Sequence, residues 1–149
     1  MVWRTFIVLL HNMIIYVGVA LSFGIWAGLG NILLAALGIA VLCLNAIWTT
    51  MVLGILSARF RDIPPITASL LQVVFFLTPI FWHADQLPER AVFVKYNPFV
   101  YYMDIVRQPL LGEAPSLTTW GIVLSLTFIG CLLSLFMFTR FRRRISYWV

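Results

Sequence analysis

Four long apolar runs constrain this chain more than any other feature of its sequence. They cover residues 13–29, 32–58, 66–82 and 118–139, and few polar residues interrupt them. A helix needs about 20 mostly apolar residues to cross the hydrocarbon core of a bilayer. Only 10% of the residues are charged, whereas a soluble domain carries about 25%. The sequence therefore predicts an all-α integral membrane protein, with four transmembrane helices in one domain.

The same runs exclude several classes of function. They use more than half of the 149 residues, so no room remains for a soluble catalytic domain. Cys43 and Cys131 lie far apart inside apolar runs and predict neither a disulfide framework nor a zinc site. The chain has no phosphate-binding glycine loop, dinucleotide-binding pattern or nucleophile elbow. We therefore expect no catalytic residue, no metal, no cofactor bound by this chain and no nucleic-acid partner.

The placement of the basic residues predicts the orientation in the membrane. Seven arginines fall on the side that holds residues 1–12, 59–65 and 140–149, against three basic residues on the other side. Cytoplasmic loops carry the excess of Lys and Arg. The side with seven arginines is therefore predicted to be cytoplasmic, with both termini there. The net charge of +5 then reflects topology rather than an anionic ligand.

The cytoplasmic turn between the second and third runs contains Arg59, Arg61 and Asp62, followed by Pro64 and Pro65. Prolines suit the first turn of a helix, where amide donors lack partners anyway. They also remove donors that an Asp62 cap would satisfy. The carboxylate is then left to pair with an arginine or with a partner protein. A plain topological anchor, with arginines reaching the headgroups, is the alternative.

A proline interrupts the third run at Pro79. Its ring frees the carbonyl of Phe75, which must find another partner inside the membrane, and Thr78 is a local candidate. Helices broken in this way recur beside transport pathways. A simple kink, satisfied by neighbouring helices, is the alternative.

The segment at residues 83–117 is too apolar for a plain loop. Asn97 and Pro98 predict a helix start, with a side-chain cap followed by proline at the first helical position. We expect two short amphipathic helices on the outer side, at the interface or dipping partly into the membrane. The alternative is a peripheral hairpin that rests on lipid.

Aromatic residues make up 15% of the chain. Their ring faces suit weak, repeated contacts with the C–H faces of sugars, so some of them are candidates for the wall of a substrate path. An interfacial belt or helix packing is the alternative for each one. Thr78 and Pro79, at the break in the third run, are added to these aromatic residues. The candidates for the substrate path are therefore Trp26, Trp48, Phe75, Phe76, Thr78, Pro79, Trp82, Tyr101 and Tyr102.

Isolated polar residues inside the runs have a simpler interpretation. Asn45 and Thr49 in the second run, and His11 and Asn12 near the first, predict hydrogen bonds between helices. An intramembrane enzyme acting on a lipid-linked sugar, with His11 or His83 as acid–base group, is a competing hypothesis. No carboxylate lies inside the runs to support it.

Several short motifs occur in a fixed order along the chain. They are Leu-His-Asn (10–12), Ser-Ala-Arg-Phe-Arg-Asp-Ile (57–63), Phe-Phe-Leu-Thr-Pro-Ile (75–80), Asn-Pro-Phe (97–99), Arg-Gln-Pro-Leu-Leu-Gly (107–112) and the basic, aromatic end at 140–149. Together they resemble the membrane permease of a type-2 ABC exporter, in the branch that exports O-antigen and capsular polysaccharide. The resemblance covers essentially the whole chain.

The resemblance implies an assembly. Such permeases form a homodimer in the bacterial inner membrane, with two cytoplasmic ATPase subunits that hold the ATP and magnesium. A lipid-linked glycan passes at the dimer interface, and membrane lipids surround it. Residues 83–117 would be two re-entrant helices near the periplasmic gate, and Arg59, Arg61 and Asp62 would face the ATPase side.

The resemblance also implies a partial fold. The family has six spans, and the four runs here correspond to the third to sixth, so we expect the first two spans and the main coupling loop to be missing. Export of another cargo, such as a teichoic acid, a lipid or a drug, is one alternative. A truncated product without transport activity is another.

Overall fold

The computed structural model describes residues 2–24, 28–78 and 96–145. All regular structure in these residues is helical, which confirms the predicted all-α class. Three of the helices are long and apolar enough to cross a membrane, namely the first, second and fifth; the 15-residue third helix is shorter. The helices are α1 (Val2–Phe23), α2 (Leu29–Arg59), α3 (Ile63–Leu77), α4 (Pro98–Leu110) and α5 (Leu117–Ile145).

The second helix is the centre of the bundle, because it contacts every other described helix. Its 31 residues extend about 46 Å at 1.5 Å per residue, more than the ~30 Å of a hydrocarbon core. Asn45 lies near the middle of α2. We call the two ends of the bundle the Gly24 end, where α1 ends and α2 begins, and the Arg59 end, where α2 ends.

The first helix begins earlier than predicted, at Val2 rather than at residue 13. His11 and Asn12 are exposed on α1 and do not interrupt it. An exposed polar side chain costs a helix little, so these two residues mark no boundary. The turn that follows contains Gly24, which has a φ of 66°, whereas Gly30 and Asn31, between the first two apolar runs, lie inside α2.

The third helix covers residues 63–77 rather than the predicted 66–82. Both prolines after Asp62 lie in its first turn, as predicted. At the other end, Thr78 is extended, with φ −92° and ψ 130°. A residue before proline avoids helical angles because the proline ring crowds its backbone. Pro79 therefore explains why α3 ends at Leu77. Residues 79–82 of the predicted run lie outside the described residues.

The fourth helix lies within the depth of α2, antiparallel to it. The Asn31 side chain donates to the carbonyl of Gly112 at the Gly24 end (2.8 Å). The Tyr102 hydroxyl donates to Asn45 Oδ1 (3.0 Å), near the middle of α2. The 13 residues of α4 thus run from the level of Asn45, near the middle of α2, toward the Gly24 end. The dip of this helix into the membrane stays a prediction. The first helix predicted in the outer segment lies mostly outside the described residues.

The fifth helix runs parallel to α2 and continues further than predicted. It passes through Arg140, Arg142 and Arg143, where the sequence predicted the end of the span at residue 139. Arginine favours a helix almost as much as leucine does. A cluster of arginines therefore marks the membrane boundary and not the end of the helix. Residues 146–149 of the predicted tail lie outside the described residues.

The buried residues of the bundle include many polar side chains. Buried hydrophobic residues are Ala35, Ile55, Ile105 and Val123, whereas Asn45, Thr78, Thr119, Thr127 and Ser134 are buried polar residues. Leu, Ile, Val and Phe side chains dominate the exposed surface. This distribution, with polar residues buried and apolar residues exposed, fits a helix bundle in lipid. Because lipid is itself apolar, burying an apolar side chain there brings no hydrophobic free energy.

Candidate functional site

The last residue before the break of α3 meets the first residues of α4. The side-chain amide of Asn97 donates to Thr78 Oγ1 (3.1 Å). Asn97 also caps α4, since its Oδ1 accepts from the backbone N–H of Phe99 (3.0 Å). Thr78 in turn donates through its hydroxyl to the carbonyl of Val74 (2.8 Å). Each of these two side chains satisfies a backbone group at one helix end, and the bond between them joins the two ends.

A long groove opens between α3 and α4 on one side of this junction. Its volume is about 780 Å³. Leu71, Val74 and Phe75 of α3 form one wall, and α4 forms the other. Leu42 of α2 and Tyr16 of α1 also border it. The lining is almost wholly apolar, so the groove suits hydrocarbon or ring faces better than a polar solute.

Asn45 is the polar centre of the helix packing. Its amide nitrogen donates to Thr127 Oγ1 (2.6 Å) and to the carbonyl of Val41 (2.9 Å). Its Oδ1 accepts from Trp48 Nε1 (2.8 Å) and from the Tyr102 hydroxyl (3.0 Å). One side chain thereby links α2, α4 and α5. Among the described residues, every buried side-chain polar atom has a hydrogen-bond partner.

Two glycines allow the close packing around this polar centre. A Cβ placed on Gly38 would lie 2.6 Å from the carbonyl oxygen of Ile105, so α4 approaches the backbone of α2 directly. A Cβ on Gly130 would collide with the indole of Trp48. Small residues at helix contacts are the usual means by which membrane helices approach one another closely.

The structure brings together three of the predicted path residues. Phe75, Thr78 and Tyr102 all line the groove. Phe76 is 69% exposed and meets Phe75 edge-on, with ring centroids 5.6 Å apart. Tyr101 is half-buried on α4.

The other predicted path residues lie elsewhere. Trp48 packs against α5 and bonds to Asn45, which is the helix-packing alternative, and its role in a path stays a prediction. Trp26, Pro79 and Trp82 lie outside the described residues.

The arginine turn lies at the Arg59 end, away from the groove. Arg59, Arg61 and Asp62 are all exposed there. The guanidinium of Arg59 lies 5.1 Å from the ring centroid of Phe60. Asp62 precedes α3 and makes no side-chain capping bond, as predicted from the two prolines that follow it. The turn therefore presents both signs of charge on a short exposed segment.

Some residues of the site were not among the predicted path residues. Asn45 was predicted to form a hydrogen bond between helices, which is confirmed. Its bond to Tyr102, a residue that lines the groove, was not predicted. Asn97 was predicted as a cap, which is also confirmed, but its bond to Thr78 joins residues 19 apart in sequence. The close contact at Gly38 was not predictable from the sequence, because a glycine can occur in an apolar run for many reasons.

Comparison with known proteins assigns the chain to a family. The family model that matches is the ABC-2 type transporter, over residues 1–111. The chain belongs to that family. The match takes in α1 to α4 together with the groove, and ends before α5. No curated protein and no solved structure matches the chain.

Family membership gives the molecule a general role. An ABC-2 type transporter domain is a membrane component of transport, not an enzyme. Permeases of this family normally work with an ABC ATPase. The helices of spanning length agree with that role.

Proposed function

We propose that this ABC-2 type transporter chain is the permease subunit of an ATP-driven exporter of lipid-linked polysaccharide, of the O-antigen or capsule type. The family match over residues 1–111 is the observation that carries the transport role. The ordered motifs, from Leu-His-Asn to the basic, aromatic end, support the polysaccharide branch. The subunit would move its cargo across the inner membrane, from the cytoplasm to the periplasm.

The Arg59 end is proposed to face the cytoplasm and the ATPase. Six of the seven exposed arginines among the described residues lie there, at the start of α1, in the α2–α3 turn and at the end of α5, and Arg107 alone lies toward the Gly24 end. This asymmetry supports the orientation by the positive-inside rule. Arg59, Arg61 and Asp62 would contact an ATPase subunit that supplies ATP and magnesium. A short turn between two helices can pass a movement of the ATPase to α3 and to the groove.

Aromatic rings near the α3–α4 junction are proposed to contact the cargo. Phe75, Phe76, Tyr101 and Tyr102 lie on the two helices that meet there. Ring faces bind sugar C–H faces weakly, which allows a long polymer to slide. A homodimer, with a second copy facing these rings and lipids around it, would enclose the path.

A different cargo is the second candidate. The groove lining is mostly carbon, which favours a lipid, a lipid-linked teichoic acid or an apolar drug over bare sugar. The arginine turn and the ATPase partner would serve such a cargo equally well. The cargo assay below separates the two candidates.

The test is deletion of the gene in its own bacterium, followed by measurement of surface glycan and of lipid-linked glycan inside the cell. We expect surface glycan to fall and the lipid-linked form to accumulate, with wild-type complementation restoring export. Arg59→Gln or Asp62→Asn should restore export poorly and should co-purify with less ATPase. Glu113→Gln, exposed at the opposite end, is the matched control and should complement fully. Unchanged surface glycan in the deletion strain would reject the polysaccharide cargo.

A further inference from the structure

The second, fourth and fifth helices are joined to one another at several levels. Tyr102 of α4 and Thr127 of α5 both form hydrogen bonds with Asn45 of α2. The Asn31 side chain of α2 donates to the carbonyl of Gly112, just after α4 (2.8 Å). The backbones of α2 and α4 also come into direct contact. These ties hold α2, α4 and α5 in fixed relative positions, and we call the three helices the frame.

The third helix packs loosely on this frame. No residue of α3 is buried, and among the described helices it packs chiefly against α2. The hydroxyls of Thr67 and Ser69 each donate to a carbonyl of α3 itself (2.8 and 3.1 Å) and so do not tie the helix to a neighbour. An element with little buried surface moves more readily than a well-packed one. We therefore expect α3 to move as a unit relative to the frame.

The end of α3 at Thr78 is held more firmly than the rest of the helix. Thr78 follows the helix and is only 4% exposed. Its Oγ1 accepts from the side-chain amide of Asn97 (3.1 Å), and its hydroxyl donates to the carbonyl of Val74 (2.8 Å). A hydrogen bond away from water is electrostatically stronger than one in water. A chain of two hydrogen bonds thus runs from the last turn of α3 to the start of α4.

We propose that Thr78 and Asn97 are a positioning pair, which fixes one end of α3 to the frame while the other end follows the arginine turn. This inference rests on the proposed function, because it takes the arginine turn as the contact with the ATPase. The 15 residues of α3 extend about 22 Å, so a displacement of about 4 Å at the turn tilts the helix by about 10°. The wall of the groove that α3 forms then moves away from α4.

The pair acts through the helices that it joins and not by contact with a cargo. A side chain as buried as that of Thr78 has little surface left for a cargo, and Asn97 uses its Oδ1 to cap α4. Without the bond between them, a movement of the arginine turn would shift α3 as a whole instead of tilting it. ATP hydrolysis would then continue, but it would open the groove less effectively.

The first experiment measures the position of α3 in the purified 149-residue chain, without ATPase or glycan. Cys43 and Cys131 are replaced by serine, and spin labels are attached to Ser69→Cys on α3 and Ser125→Cys on α5, both exposed positions. Double electron–electron resonance should give one narrow distance distribution for this labelled parent. Thr78→Val, which replaces the hydroxyl by a methyl group, should broaden the distribution clearly.

Three further variants separate the bond from other effects. Asn97→Ser removes the amide donor, and it should also broaden the distribution although serine caps a helix about as well as asparagine. Thr78→Ser keeps the hydroxyl and should match the parent. Thr67→Val is the matched control, because its hydroxyl bonds within α3, and it should also match the parent. Circular dichroism checks that each variant keeps its helices. Unchanged distributions in both Thr78→Val and Asn97→Ser would overturn the proposal.

The second experiment measures ATP hydrolysis and glycan export by the chain in complex with its ATPase. Thr78→Val should co-purify with as much ATPase as wild type does. The ATP hydrolysed per glycan exported should rise about fivefold, the change in an equilibrium that one hydrogen bond produces. Thr78→Ser should restore the wild-type ratio, and Thr67→Val should leave it unchanged.

The outcomes distinguish this inference from the proposed function. If wild type exports glycan and the ratio is equal in Thr78→Val and Thr67→Val, the positioning pair alone is wrong. If wild type neither exports glycan nor co-purifies with an ATPase, the proposed function is wrong, and the positioning role is overturned with it.

Discussion

Asn45 shows how much one polar residue contributes in a lipid-facing bundle. Its four hydrogen bonds include contacts to Thr127 on α5 and Tyr102 on α4. With Asn45→Leu, the Tyr102 hydroxyl and the Trp48 N–H lose their acceptor. We expect the free energy of unfolding to fall by about 1–3 kcal/mol, the cost of leaving buried polar groups unpaired. Reversible unfolding in mixed micelles, followed by circular dichroism, would measure it.

A double variant separates hydrogen bonding from packing at this position. Adding Tyr102→Phe to Asn45→Leu removes a donor that the first change left unpaired, so the second change should cost less than it does alone. Simple additivity of the two changes would show that the Asn45–Tyr102 bond contributes nothing to stability.

At the scale of elements, the contact between α2 and α4 positions the groove. Gly38→Ala would place a methyl group 2.6 Å from the carbonyl oxygen of Ile105. Neither backbone can yield without moving a helix, so we expect a loss of about 1–3 kcal/mol in unfolding free energy. Proteolysis between α3 and α4 should become faster, because α4 is displaced from α2.

Gly54→Ala is the control for this prediction, because it lies in the same helix. Nothing lies within 4 Å of its added Cβ, and alanine favours a helix over glycine by about 1 kcal/mol. The control should therefore be neutral or stabilising. If Gly38→Ala behaves in the same way as Gly54→Ala, then α4 does not press on α2 in the membrane.

At the scale of the whole molecule, the arginine asymmetry predicts the orientation in the membrane. In a variant with Cys43 and Cys131 replaced by serine, one new cysteine would be placed at Glu113 or at Asp62, exposed at opposite ends. A membrane-impermeant thiol reagent should label Glu113→Cys in spheroplasts. It should label Asp62→Cys only after the membrane is opened. The reverse pattern would place the Arg59 end outside the cytoplasm.

A second feature of the whole molecule is the span that is divided between α3 and α4. α3 rises from the Arg59 end and α4 completes the passage to the Gly24 end, so two short helices cover the depth that α2 covers alone. Pro79 and the Asn97 cap marked the two breaks in the sequence. The bond between Thr78 and Asn97 was not predictable, because no local pattern states which helix ends meet.

The sequence by itself determined the surrounding solvent, the all-α class and about half of the helix boundaries. Apolar length specifies lipid as the surroundings, and proline specifies where a helix cannot continue. These are local properties, and α2 lies within three residues of its predicted ends. The predicted start of α1 and end of α5 were wrong, because polar residues such as His11 and Arg140 were taken as helix boundaries. Polarity indicates depth in the membrane and not where a helix ends.

The tertiary structure alone decided which residues share a site. Asn45, Tyr102 and Thr127 lie in three different helices, and they meet because membrane helices pack through small residues and interhelical hydrogen bonds. Lipid supplies no hydrophobic difference between inside and outside, so apolar periodicity does not show which face is buried. The groove between α3 and α4 follows from that packing.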